Sequence, residues 1–251
     1  VTPRSTHVAL AAAALLLVSC THDSPKAPAP WDSNDHTTAR WIPNPVADLM
    51  SPEGTFIRAT MESWRAAQAG QGYGLDAIRA GGYPGFDHAF NAPNTPWKPE
   101  EVGGTVRYER PLVGTVYYEI VALSRDGDRY KAGVCAYTSQ SAGQLEDGQY
   151  SGPGPKPTNG GEWITFGPDP KLSADQQHAP PAHQKGPAKR PTDNVFGTWV
   201  LFDYDPQIAT TLPQCVKFAP GTPTNLPNPK KVSEPPPTLP PDPGWPEGSK
   251  A

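Results

Sequence analysis

Two runs rich in Val, Tyr and Ile, Val113–Ser124 and Asp128–Gln140, stand on either side of Asp126-Gly127. Apolar alternation flanking an Asp-Gly pair is a strong hairpin signal, because the tight turn joining two twisted strands needs residues that tolerate positive φ. The centre of the chain is thereby committed to an antiparallel pair. With Asp126 and Gly127 as the central turn residues, Leu123 faces Tyr130, Val121 faces Ala132, Glu119 faces Val134 and Tyr118 faces Cys135. Further strands are predicted at Thr105–Arg110, Trp163–Phe166 and Val195–Tyr204. In the last, Phe196, Val200, Phe202 and Tyr204 share one face while Trp199, Leu201 and Asp203 point the other way.

Upstream of this region the apolar period is helical. Ser51 is placed to cap, Pro52 suits the first helical position and Glu53 complements the helix dipole. The helix should run to Ala69, with Ile57, Met61, Trp64 and Gln68 on one stripe and Phe56 and Thr60 beside it. A second helix is predicted from Leu75 to Ala80, stopped by Gly81-Gly82, and a third around Pro84–Phe90. Helices followed by a run of strands argue an α+β class, with N-terminal helices packed on a curved antiparallel sheet.

The chain holds 34 Pro and 24 Gly in 251 residues, so part of it is not core. Residues 141–161 and 171–193 read as long surface loops within a single domain over 41–218. The segment from Ala219 to Ala251, with Pro235-Pro236-Pro237 and Pro240-Pro241, carries few groups that offset the entropy of ordering, and no fixed structure is expected there.

The first thirty residues bear on location. Val8–Val18 is an uncharged apolar run behind Arg4 and His7, about half the roughly 20 residues a membrane-crossing helix needs, so residues 1–19 read as a signal peptide. Leu17-Val18-Ser19-Cys20 resembles the lipobox of bacterial lipoproteins. The resemblance implies cleavage before Cys20, diacylation of its thiol and a lipid anchor on the extracytoplasmic face of the cell membrane, since two acyl chains hold far more firmly than one. Residues 20–40, with Pro25, Pro28 and Pro30, then read as a solvated tether.

Cys135 and Cys215 remain as a pair in a compartment that permits disulfides. Closing a loop of about 80 residues would contribute about 4 kcal/mol in the chain-entropy account. A formal net charge of −4, made more negative when Arg4 leaves with the signal, gives no basic face for nucleic acid.

Chemical motifs are scarce. GxSxG, HExxH, CxxC and Walker-type patterns are absent from the sequence, and no catalytic residue, metal ligand or cofactor is assigned. Gly70-Gln71-Gly72-Tyr73-Gly74 follows a helix rather than a strand and reads as a connection. His178 and His183 lack a carboxylate or thiol at ligand spacing. Asp87 and His88 are adjacent, and adjacent helical residues do not face one another. Glu119 stands out, since its register puts it with Tyr117, Val121 and Leu123, where a carboxylate is costly unless paired or lining a wet cavity. The simpler alternative makes this the outer face, with Glu119 solvated or bonded to Arg107 or Lys131.

The order of helices ahead of long antiparallel strands, over Ser51–Tyr204, is similar to the cone-shaped NTF2-like fold. The resemblance is architectural and implies a pocket between sheet and helices. The Pro- and Ala-rich style also resembles envelope lipoproteins of high-GC actinobacteria. Three functions follow: a lipid-anchored module binding a small molecule or an envelope protein, with Trp64, Tyr117, Glu119 and Trp199 as lining residues; an envelope hydrolase using Glu119 or Asp203 and Asp205; or an interaction protein working through its Pro-rich tail.

Overall fold

The computed structural model describes residues 34–69, 73–90, 110–152, 157, 159–207, 212–223 and 231–248. The signal, Cys20, most of the tether and the strand predicted over Thr105–Arg110, save Arg110, therefore lie outside the described residues. Within them the elements run β1 (Thr38–Trp41), α1 (Pro52–Ala69), α2 (Gly74–Gly81), α3 (Phe86–Ala89), β2 (Leu112–Asp126), β3 (Arg129–Tyr137), β4 (Ser141–Gly143), β5 (Tyr150–Ser151), β6 (Asn159–Pro168), β7 (Trp199–Gln207) and β8 (Lys231–Val232). The class is α+β. A six-stranded sheet is ordered β1-β2-β3-β6-β7, with β4 on the start of β2, and β5 pairs β8 separately. The main sheet is mixed rather than wholly antiparallel, because β1 runs parallel to β2.

Helix α1 starts as its sequence dictates: the Ser51 hydroxyl accepts from the Gly54 amide at 3.1 Å, satisfying one of the orphan first-turn donors. Phe56, Ile57, Met61, Trp64 and Gln68 are buried. The four apolar ones meet Val116, Tyr118, Ile120, Ala132, Val134, Ile164, Phe166, Leu201 and Tyr204 from one face of the sheet, so the main core fills the helix–sheet interface. Phe56 stacks on Phe166 with centroids 4.7 Å apart, and Trp199 stacks on Tyr130 at 5.3 Å. A second core on the opposite sheet face gathers Tyr117, Tyr137, Leu212, Ala219 and the Cys135–Cys215 disulfide.

The hairpin forms, but two residues out of the predicted register at its tip. Asp126 pairs with Arg129, so Gly127 and Asp128 make the turn, and Arg125 rather than Leu123 faces Tyr130. Gly127 takes φ 57°, a positive angle at the first central position that glycine adopts without steric cost. The tip register carries Leu123 opposite Ala132, and a bulge between Ile120 and Ala122 then moves it by one, leaving Ile120 opposite Val134, Glu119 opposite Cys135 and Tyr118 opposite Ala136. The bulge also separates Val121 from Leu123: the first packs on the disulfide core and the second on the main core. In β7 a second irregularity, between Thr165 and Phe166 of its partner, lets Trp199, Leu201 and Tyr204 all reach the main core, which corrects the single alternation predicted for that strand.

The largest correction concerns the C-terminal segment, expected to lack fixed structure from Ala219 onward. Residues 231–248 are engaged along their length, and Pro237–Asp242 run along β1 and β2. The Thr115 hydroxyl donates to the Pro237 carbonyl at 2.9 Å and accepts from the Leu239 amide at 3.0 Å, while the Thr38 hydroxyl donates to Leu239 at 2.6 Å. Arg40 donates to the Pro240 carbonyl at 2.8 Å and pairs with Asp242 at 2.9 Å. Trp245 ends this run fully buried. Prolines confine the chain to extended conformations before it docks, so less entropy is lost than composition implies. The domain also begins earlier than residue 41, since β1 includes Thr38–Arg40 of the predicted tether. Trp245→Ala should cost about 3–5 kcal/mol in urea unfolding, the range for emptying a large aromatic site, whereas a loose tail would register no change.

Candidate functional site

Helix α1 carries a second stripe beside its apolar one. Arg58, Glu62 and Arg65 follow at spacings of four and three, which puts them on one face of the helix. All three point into protein. The Glu62 carboxylate accepts from the Trp41 indole at 2.8 Å through Oε1, and from the Tyr83 hydroxyl at 2.7 Å and the Trp245 indole at 2.8 Å through Oε2. Arg58, fully buried, donates to the carbonyls of Gln184 at 2.8 Å and Gly244 at 2.6 Å, and its guanidinium sits 4.4 Å from the Trp245 ring centroid. Arg65 donates to Asp35 at 2.9 Å.

These groups border a cavity of about 300 Å³. Asp35, His36 and Thr37 lead into β1 and Thr38 and Ala39 open it, Glu62, Arg65 and Ala66 come from α1, Tyr83 from the α2–α3 connection, Val116 and Tyr118 from β2, and Lys189 and Arg190 from the 171–193 loop. That loop is not a loose excursion: the Gln184 carbonyl holds Arg58, and the Ala188 backbone exchanges hydrogen bonds with Trp245 at 2.9 and 3.0 Å. Lys189 donates to the Asp35 carbonyl at 3.0 Å, and Arg190 to the carbonyls of Gly81 and Gly82 at 2.9 Å each.

The electrostatics follow from burial and contact. Desolvation pushes the Asp35 carboxyl up, but Arg65, the Thr37 hydroxyl and amide, and Lys189 outweigh it and hold the group below its ordinary value. Desolvation, with Glu62 alongside, lifts the Tyr83 hydroxyl well above the usual tyrosine range, so it remains a donor. Arg58 and Lys189 are both pulled down by desolvation, with Glu62 opposing the shift at Arg58 and Asp35 at Lys189.

The four predicted lining residues do not come together. Trp64 is buried in the main core, 5.2 Å from Phe90 and 4.6 Å from Tyr204 between centroids, and Trp199 packs in the same core. Tyr117 and Glu119 lie on the opposite face of the sheet, so one pocket lined by all four does not exist. The reason is that the helix–sheet interface is filled by aromatic side chains, and the cavity opens instead at the β1–α1 margin.

Glu119 is nevertheless special. Its carboxylate accepts from Asn44 at 2.9 Å, Tyr137 at 2.7 Å and Lys217 at 2.7 Å, in place of the solvent or Lys131 predicted for it, while Arg107 lies outside the described residues. Desolvation raises its pKa, while the hydrogen bonds from Lys217, Tyr137 and Asn44 overcome that and hold it below the ordinary value. Asp87 and His88 diverge, toward Arg79 at 3.7 Å and Asp169 at 3.5 Å. Asp203 and Asp205 pair along β7 opposite Thr165 and Trp163. Among the described residues no group of three metal-ligating side chains converges.

Sequence reasoning missed Asp35, Glu62, Arg65, Lys189 and Arg190. The available signal was the charged stripe on α1, one position away from the apolar stripe that drew attention. Compared with known proteins, the chain matches no protein-family profile, no curated protein and no solved structure.

Asp35 and Glu119 both have depressed folded-state values, so each contributes stability that is fully present above its unfolded value and lost as pH falls through its folded one. The unfolded values are near 3.8 and 4.5. Urea unfolding across pH 3–7 should therefore show an acid limb below pH 4.5 that flattens in Asp35→Asn and Glu119→Gln, each variant being less stable than the parent at pH 7 and converging on it toward pH 3.

Proposed function

We propose that this chain is a bacterial envelope lipoprotein, held on the extracytoplasmic face of the membrane through a diacylated Cys20, that binds a small molecule in the cavity at the β1–α1 margin. The observation that carries the binding reading is the cavity itself: about 300 Å³ with polar groups from five separate segments converging on an otherwise apolar wall. Polar groups placed by a rigid frame are what fix a ligand's orientation, and here the frame is the buried Glu62 network.

Two features support the location. The Cys135–Cys215 bridge is at home in an oxidising compartment. Asp35 borders the cavity, and the fifteen residues from Cys20 to it reach at most about 55 Å, so an anchored domain would carry its cavity close to the membrane surface. The NTF2-like plan is likewise a proposal, resting on the order of helices ahead of antiparallel strands, and the parallel β1 and the packed helix–sheet interface depart from it.

The rival readings have less behind them. A general acid wants a raised carboxyl value, whereas that of Glu119 is lowered. A tail that recruits partners as free extended chain conflicts with residues 231–248 being engaged by Thr38, Arg40, Arg58, Glu62 and Thr115.

Intact mass from a lipoprotein-processing bacterial host tests the anchor: residues 20–251 plus acyl groups are expected, and a Cys20→Ala chain of unmodified mass beside it. An unmodified full-length mass for the parent would contradict it. For binding, Ala66→Phe projects a ring into the cavity from a partly exposed helix position. A small molecule from a screening panel should raise the melting temperature of the parent by several degrees at 100-fold excess over Kd, where mass action supplies about 2.7 kcal/mol, and leave Ala66→Phe unmoved.

A further inference from the structure

The charges around the cavity are unevenly matched. Both carboxylates are occupied: Asp35 by Arg65 through Oδ2 and by the Thr37 amide and hydroxyl through Oδ1, and Glu62 by two indoles and a phenol. The cations of the 171–193 loop are not. Among the described residues Lys189 gives one hydrogen bond, to a backbone carbonyl, and Arg190 uses a single terminal nitrogen on two backbone carbonyls while lying 5.2 Å from the Tyr83 ring centroid. Among the described residues neither forms an ion pair.

Two adjacent cations with spare donors thus stand on the cavity wall beside the Arg65–Asp35 pair, Lys189 reaching the Asp35 carbonyl. Carbonyl partners position such groups without neutralising them, and a guanidinium or ammonium beside a partly dry cavity gains most from an anion that brings its own charge. Of the remaining wall, Ala39, Ala66 and Val116 offer apolar contact, while His36, Thr37, Thr38 and Tyr118 add an imidazole and three hydroxyls but no further carboxylate.

We propose that the cavity binds a small organic oxyanion, a carboxylate or phosphate ester on a short apolar body, with Lys189 and Arg190 holding the oxygens and Ala39, Ala66 and Val116 receiving the body. This rests on the reading of the cavity as a ligand site. Arg65 is a positioning residue whose charge adds to the field while Asp35 keeps its guanidinium in place. Glu62, saturated by its three donors, orders the wall and does not compete for the ligand.

Calorimetric titration of the full chain with phenyl phosphate, benzoate, benzyl alcohol and benzylamine tests this. The expected result is that at least one of the two anions binds ten times or more tightly than benzyl alcohol and benzylamine, and that its affinity falls as salt rises. Lys189→Gln should weaken that anion about tenfold, Lys189→Arg should restore it, and Lys189→Gln with Arg190→Gln should weaken it about a hundredfold, with circular dichroism matching the parent. Benzyl alcohol binding as well as the anions, failure of both anions to bind, or anion binding indifferent to the Lys189 substitutions would overturn the oxyanion assignment. Ala66→Phe separates the two levels: a neutral probe lost in that variant leaves the cavity as a ligand site and removes only its anion preference, whereas probe binding that survives Ala66→Phe removes the site as well.

Discussion

Glu62 is a carboxylate taken out of water and met by three donors from three separate parts of the chain: the indole at the end of β1, the phenol of the α2–α3 connection and the indole near the C-terminus. A buried charge without such partners costs several kcal/mol, and the two indole donors would themselves lose their acceptor without the carboxylate. The arrangement is therefore close to all-or-none. One turn earlier Arg58 fixes Gln184 and Gly244 and lies against Trp245, so the polar stripe of α1 fastens both ends of the described chain to the middle of one helix. The bond to Trp245 spans 183 residues of sequence.

The same network builds the cavity. Glu62 and Tyr83 are part of its lining, and the Tyr83 hydroxyl also lies 3.2 Å from the Lys189 carbonyl, which sets where the adjacent cationic pair projects. Interactions made for folding thus leave the wall already arranged, and a ligand entering it has little side-chain ordering left to supply. On the far side of the sheet the disulfide and the Glu119 cluster tie the segment around Leu212–Ala219 to β3, which stiffens the platform without entering the cavity.

Elements with a strong period were legible: α1 from its capping serine and apolar stripe, the β2–β3 hairpin from its alternation, the Cys135–Cys215 pair from the count of cysteines. Register was not, because the turn settled one residue later than Asp126-Gly127 and a bulge near Val121 consumed another, neither of which alternation records. The C-terminal segment was misread because proline content was counted as missing core. A chain already extended by proline needs few anchors, and one tryptophan with threonine and arginine partners provides them. Glu119 was legible as a costly carboxylate, but Asn44 and Lys217 lie 75 and 98 residues away, and only the fold brings them to it. The cavity was illegible for the same reason, being assembled from five segments, two of which read as tether and loose loop.

The central claim is that Trp41 and Trp245 donate to one buried carboxylate. Hydrogen exchange of the two indole Nε1 protons by NMR tests it most directly. The account predicts that both exchange only with global unfolding, with the same dependence on denaturant, and that Glu62→Gln shifts both resonances and accelerates both. A Trp245 indole proton that exchanges at the rate of a free peptide, or that ignores Glu62→Gln while Trp41 responds, would contradict it.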